Sequence, residues 1–598
     1  MNRKVIFLVV AVIVVAVAWK PLSKLYNDLH VALPDYPQTK ATVWLDQKLS
    51  KEQRGWFYHA DQGTRTFHIP YEWFAALEQP TLAPLIWQAV GDFSDPAYLN
   101  RYGFILEGSE PGKLPIGFAH GGPMAQNSGE PWLNPRTRKD MTGIGLTCAA
   151  CHTGSFTYKD KTVVIDGGPA LTDLFKVTQG FGVALLFTRY VPGRFDRFAD
   201  RVLGAGATSD EKAALKAQLD DVLKAYKEIN DLETQVGGTY EGFGRLDALN
   251  RIGNQVFSLD LKNPKNYAAH AAPVHFPRIW DAPWFSWVQY NASIEQPMVR
   301  NAGEALGVTA ELNLTDDKKT LFSSSAQVKT LYDMEQMIAG GQPTAESGFT
   351  GLSSPKWPKD ILPAVDDKLA AQGATLYATH CQGCHLPPVG TKAFFESKRW
   401  LAPNPAGLRL LDLELIDIKH IGTDSAQADG LLNRKVALPP NLGITSNEFG
   451  PALGALVSKA VNVWYDLQKP PLPAADRERM NGNRANGIQA PLAYKVRPLN
   501  GIWATPPYLH NGSVPTIDAL LSPASERPAK FYLGNREYDP VKLGYHTEEL
   551  SNGFEFDTSL PGNSNRGHEF SDDKRDGVIG PKLSPEDRKA LLEFIKTL

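Results

Sequence analysis

Residues 366–385 read Asp366-Asp367-Lys368-Leu369-Ala370-Ala371-Gln372-Gly373-Ala374-Thr375-Leu376-Tyr377-Ala378-Thr379-His380-Cys381-Gln382-Gly383-Cys384-His385. The stretch ends in Cys-x-x-Cys-His, and the same pattern recurs at Cys148-Ala149-Ala150-Cys151-His152. The chain has four cysteines, so these two motifs use them all. The spacing suits c-type haem attachment: two thiols add to the two vinyl groups on one porphyrin edge, and the following His reaches the iron. Two disulfides, a zinc site or a redox dithiol are the alternatives for four cysteines in an exported chain. Each leaves the repeated His unexplained. The motifs therefore call for two covalently bound c-type haems, with His152 and His385 as proximal iron ligands.

Working outward from Cys381, residues 366 to 379 have helical character and run directly into the motif. Gly373 and Tyr377 precede Cys381 at the spacing of small mono-haem cytochromes c, where the Gly admits the last helix of the chain. That last helix is legible too. Ser584 is a good N-cap, Pro585 fits the first helical position, and Leu591, Leu592, Ile595 and Leu598 form an apolar stripe. The Gly-, Pro- and Ser-rich stretch 340–365 is the best linker. The expected organisation is a signal peptide or membrane anchor over 1–20, an N-terminal haem domain with extensions over 21–350, and a C-terminal cytochrome c-like domain over 351–598. The expected fold class is mainly α with long irregular loops: two cytochrome c-like haem domains elaborated by insertions.

Asn2, Arg3 and Lys4 precede an unbroken apolar run from Val5 to Trp19. The run is shorter than the roughly 20 residues of a membrane-spanning helix, and Ala16-Val17-Ala18 resembles a cleavage site. Whether cleaved or retained as an anchor, it exports the rest of the chain, which places the protein in the periplasm, secreted or anchored to the outer face of the inner membrane. The formal net charge of -3 excludes the strongly basic face of a nucleic-acid binder. At 598 residues the chain exceeds what one core accommodates.

Other stretches have simpler readings. Pro70 starts a short aromatic helix reaching Leu77. Residues 210–231, with Ser209 as N-cap, form a surface helix buried on one stripe through Leu215, Leu219, Val222, Leu223 and Tyr226. Residues 266–300 concentrate Phe276, Trp280, Trp284, Phe285, Trp287 and Tyr290, interrupted by Pro273, Pro277 and Pro283. This cluster is either core or the wall of a haem pocket. Asp572-Asp573-Lys574-Arg575-Asp576-Gly577 lacks the alternation and closing Glu of a calcium loop and reads as a surface turn.

Two haem motifs about a domain apart resemble the bacterial di-haem cytochrome c peroxidase superfamily. Leu499-Asn500-Gly501-Ile502-Trp503-Ala504-Thr505-Pro506-Pro507-Tyr508-Leu509-His510-Asn511-Gly512-Ser513 is similar to the segment leading into that family's His-(Asp/Asn)-Gly-Ser turn. The greater length points to an enlarged branch containing rubber oxygenases and periplasmic fatty-acid (oleate) dioxygenases. Asp61-Gln62-Gly63-Thr64, Ile69-Pro70-Tyr71-Glu72-Trp73-Phe74, Leu114-Pro115-Ile116-Gly117-Phe118, Trp280-Asp281 and Gly567-His568-Glu569-Phe570 look like that branch.

The resemblance implies an oxidoreductase whose N-terminal haem activates O2 for dioxygenation of an unsaturated lipid or polyisoprenoid, while the C-terminal haem handles electrons. The alternatives are a peroxidase reducing hydrogen peroxide with electrons from a small cytochrome or cupredoxin, and a pure electron carrier. The second haem draws its other ligand from His568, His510 or His546. The resemblance favours His568, with His510 supporting a haem edge. The first haem has no defensible second His among His120, His270 and His275, so it is expected to be open. Trp280 and Phe276 are expected on its distal wall, with Glu304 or Glu295 moving protons and Arg300 stabilising negative charge.

Overall fold

The computed structural model describes residues 29–81, 88–107, 113–126 and 129–598. The basic start, the apolar run and the 1–20 segment lie outside these. Among the described residues no helix is long and apolar enough to cross a membrane.

The architecture is mixed, 37% helix and 15% strand, where a mainly helical chain was expected. The strands come as short pairs that brace long connections. Directly after the first motif, Thr153–Tyr158 pairs antiparallel with Lys161–Asp166, and Ala41–Trp44 adds to the latter in parallel. Val163, Val164 and Ile165 are fully or nearly fully buried there, so β-branched side chains are packed on both faces of this strand. These strands are only four to six residues long, too short to establish a period in the sequence.

The helix expected before the second motif runs Asp367–His380, capped by Asp366, whose carboxylate accepts from Leu369 N at 3.0 Å. The last helix, Pro585–Ile595, is capped by Ser584 through Asp587 N. They cross at Gly373, where an added Cβ would lie 2.0 Å from Ala590 O. Only a residue without Cβ permits that approach. Tyr377 is buried on the same helix and donates to Leu386 O at 2.7 Å.

The charged helix runs Ser209–Val236, longer than expected. Its N-cap is Thr208 rather than Ser209, because Thr208 and Glu211 close a reciprocal capping box. The 340–365 stretch is no free linker. Phe349, Leu352, Trp357 and Leu362 are buried, and Ser353 N bonds Gln47 O. Apolar side chains spaced through a turn-rich sequence tie it down where composition suggested freedom.

The two motif-bearing halves share a core. One cluster joins Tyr58, Ala149, Phe156 and Trp280 to Trp357, Tyr377, Trp503, Tyr538 and Leu591. Another joins Val256, Met298 and Leu306 to Leu456, Val457 and Tyr465, packing helix Pro297–Gly307 on helix Phe449–Leu467. Packing therefore crosses residue 350 at both places.

Candidate functional site

The first motif is a single tight turn. Thr147 caps Cys148–Ala150, and His152 N bonds Cys148 O at 2.9 Å. Gly117, at φ +92, lets the Ile116–Phe118 backbone lie against it, since a Cβ there would meet Ala150 Cα at 2.4 Å. Gln62 Oε1 accepts from Cys148 N at 3.3 Å. The phrases around Gln62 and Gly117 thus shape the turn. The His152 ring bonds Pro277 O through Nδ1 at 2.8 Å, which leaves Nε2 for a metal.

The second motif repeats this arrangement. Gln382–His385 is one helical turn, and His385 Nδ1 bonds Arg497 O at 2.8 Å. Burial pushes both imidazoles down to about 4, which favours the neutral, ligating form.

The residue facing His385 is His568, with ring centroids 6.1 Å apart and planes at 64°. An imidazole–metal bond of about 2.0 Å on each side, plus the two ring radii, gives roughly this separation for an iron held between them. The sequence places His568 through Gly567. At φ +77 a Cβ on Gly567 would lie 2.3 Å from the Gly422 carbonyl carbon, so the loop rests on the 421–423 turn. His568 N bonds Ile421 O at 2.9 Å, Arg527 donates to the carbonyls of Gly567 and His568 at 2.9 Å each, and the buried Glu569 carboxylate accepts from Gly567 N at 3.1 Å. Arg527 was not legible as part of this site. His510 instead stacks on Tyr494, centroids 4.0 Å apart, and His546 pairs with Glu548 at the surface.

The first motif adjoins two cavities that share several lining residues. The larger, of about 140 Å3, reaches from His152 past Phe276 to Leu249, Val299, Leu453 and Val457. The smaller, about 100 Å3, is bounded by Phe285, Met334 and Ile338 together with Arg278, Lys495 and Arg497. Cys148, His152, Gln289, Tyr290, Arg300 and Glu304 line both. Among the described residues no ring faces His152 as His568 faces His385.

Helix Pro297–Gly307 presents Arg300 and Glu304 one turn apart. Arg300 pairs with Glu335 of the neighbouring helix Val328–Ala339, and Glu304 accepts from Gln289 Nε2 at 3.0 Å. Burial raises the Glu304 carboxyl above the usual carboxylate range, with Arg300 opposing. Glu295 lines neither cavity.

Trp280 is not on the cavity wall, contrary to the sequence expectation. It is fully buried in the shared core, where its indole N–H is satisfied by Asn500 O at 3.1 Å. An aromatic that needs an interior acceptor was drawn to the carbonyl-rich 497–500 segment. Phe276 and Glu304 do line the cavity. His120 stacks on Tyr71 at the surface, and His270 meets Asn254. His275 lines the larger cavity, with Nε2 buried and unbonded and burial pushing its pKa down to about 3. Lys495, Gln289 and Glu335 were missed, because each is a lone polar residue in an otherwise ordinary stretch. No group of three or more metal-binding side chains occurs among the described residues, the Asp572–Gly577 turn included.

The residues fit haem. Two cysteines and a hydrogen-bonded His stand at each motif. Arg278, Lys495 and Arg497 bring more positive charge to the cavity than its carboxylates balance, and Arg278 Nε and Arg497 Nε are buried without partners. A macrocycle bearing two carboxylates supplies the missing anions. Cys148, Cys151 and His152 would hold one such group, and Cys381, Cys384, His385 and His568 another.

Residues 493–532 match the family model described as RoxA-like, cytochrome c-like, which supports membership of the RoxA-like cytochrome family and implies a c-type haem. The chain is 60% identical to the uncharacterized protein y4iJ of Sinorhizobium fredii over 95% of each chain. It is also 26% identical to the uncharacterized protein y4iM of the same organism, over 54% of this chain and 63% of that one.

Proposed function

This chain belongs to the family of y4iJ, and for it we propose an exported di-haem c-type oxidoreductase that inserts O2 into an unsaturated, elongated hydrophobic substrate. The observation that carries the reading is the larger cavity, a largely apolar space that begins beside His152 and runs on to Leu453 and Val457. The asymmetry of the two motifs supports it. His568 stands ready to close the second iron, whereas among the described residues no ring stands opposite His152 as His568 does opposite His385. A closed iron suits electron transfer and an open one suits O2.

When bound at the first motif, haem supplies the oxygen chemistry. The chain's own residues do the rest. Leu249, Val299, Leu453 and Val457 align an apolar chain and keep water away from it. Glu304, whose proton affinity burial raises, is placed to hold or move a proton at its carboxyl oxygen, and Gln289 fixes that carboxyl. Arg300, held by Glu335, keeps a cation near the site of developing charge. Unsaturated fatty acids such as oleate and polyisoprenoids are the substrate classes of the proposal. The basic and apolar N-terminal sequence supports a periplasmic location.

A second reading, peroxide reduction with electrons from a small cytochrome or cupredoxin, draws support from the same Glu304, a buried carboxyl suited to proton delivery. Measuring O2 uptake by the purified holo-protein with oleate, and separately with polyisoprene, separates the two. The expected result is uptake without peroxide or donor, with both atoms of labelled O2 in one product. Turnover only with peroxide and a reduced donor would replace the first reading by the second.

A further inference from the structure

The two proximal histidines are joined through a pair of crossed backbone segments. His152 Nδ1 bonds the carbonyl of Pro277, and His385 Nδ1 bonds the carbonyl of Arg497, each at 2.8 Å. The two acceptor segments then grip each other. Arg497 Nη1 donates to Arg278 O at 2.7 Å and its Nη2 to Trp280 O at 3.3 Å. In return Arg278 donates to Pro498 O, Trp280 Nε1 to Asn500 O at 3.1 Å, and Asn500 Nδ2 to Asp281 at 2.6 Å. Segment 277–281 therefore carries the acceptor for one histidine, 497–500 the acceptor for the other, and each sends an arginine across to the other's carbonyls.

The charges are crossed as well. His152 feels the Arg497 cation, and His385 feels Arg278. Asp281, with one carboxylate oxygen bonded to Asn500 and the other unbonded, is the acid that both arginines feel. Two buried cations repelling each other around one acid are costly. For hydrogen bonding alone, neutral donors such as Gln or Asn would satisfy the same carbonyls. A cation at this place also raises the affinity of a nearby iron for an electron, and here one pair of cations is positioned to act on two irons.

We infer that the Arg278–Arg497 clamp is the bridge between the two haem sites: it couples the two irons for the transfer of one electron and sets both irons' tendency to be reduced together. This rests on the reading that both Cys-x-x-Cys-His motifs hold haem. One electron leaves one iron, which is oxidised, and arrives on the other, which is reduced. No covalent bond forms or breaks, and both Nδ1 protons stay in place. The arginines are positioning residues acting through His152 and His385.

The test uses the full-length holo-protein and begins with a haem count per chain. Fewer than two c-type haems in the wild type overturns the underlying reading and the bridge with it. With two present, the double variant Arg278→Met/Arg497→Met should shift the reduction equilibria of both haems at least tenfold toward the oxidised state, about 59 mV for one electron. It should also slow inter-haem transfer at least tenfold, followed optically after CO photolysis of half-reduced protein. A shift confined to one haem, or an unchanged transfer rate, overturns the proposal. Arg497→Lys provides the second reading should the Met variant fail to load haem. It keeps the cation but loses the fork that reaches two carbonyls, so transfer should slow while both equilibria stay within about threefold of wild type. Wild-type transfer in Arg497→Lys overturns the bridge.

Discussion

Replacing Gly303 by Leu should block the apolar cavity. Gly303 lies within helix Pro297–Gly307 and lines the larger cavity, and a Cβ added there meets only Val457 Cγ2, at 3.6 Å. That is ordinary contact, so Gly303→Ala fits without strain. It should raise stability by about 1 kcal/mol, the usual helix-interior preference for Ala over Gly. Leu extends three further carbons into the space the substrate would occupy. Displacing two to three methylene groups of a bound chain, at about 0.8 kcal/mol each, removes roughly 2 kcal/mol of binding. At about 1.4 kcal/mol per decade this is a loss of about thirtyfold in kcat/KM. The assay is O2 uptake across a series of unsaturated chains of increasing length, set beside turnover of hydrogen peroxide, which needs no apolar wall. The long chains should lose about thirtyfold and peroxide less than threefold. Equal losses, or undiminished turnover of long chains in a folded Gly303→Leu protein, would refute the assignment of this cavity to substrate.

In the proposed di-haem protein, His568→Ala should convert one haem from a six-coordinate low-spin to a high-spin optical and spin-resonance signature while leaving the haem count unchanged, since Cys381 and Cys384 would still anchor it; an unchanged spectrum would remove His568 as a ligand. Gly373→Ala drives a Cβ to 2.0 Å from Ala590 O and, by analogy with overpacked cores, should cost about 1–3 kcal/mol in denaturant titration. Burial raises Glu304 in the folded state, so its contribution is complete below the usual Glu range near 4.3 and is lost as pH rises through the higher folded value. Glu304→Gln should therefore flatten the stability–pH curve above about pH 4.3, and a curve parallel to wild type would show that the carboxyl titrates normally.

Local chemistry made much of this protein legible in its sequence. Cys-x-x-Cys-His is a contiguous unit whose chemistry depends on neighbours in the chain, so both motifs can be read directly. Helix Asp367–His380 and helix Pro585–Ile595 declare themselves through caps, and Gly373 announces their crossing because only Gly tolerates a backbone at that distance. His568 could be marked because it follows a glycine in a recognisable phrase. The tertiary structure alone decided what stands across space from these units. His568 meets His385 only because the 567–569 loop is laid on the 421–423 turn by backbone bonds and by Arg527. The cavity combines Gln62, Gly303, Leu453 and Ile488, which no spacing rule connects. Trp280 left the expected wall for the core because its N–H found Asn500 O. The sheet after the first motif escaped notice because its strands are too short to establish a period. A Cys-x-x-Cys-His turn is encoded along the chain, whereas a facing histidine, a cavity and the contact of two distant segments are distances in space, set by packing such as that which brings residues 277–281 and 497–500 together.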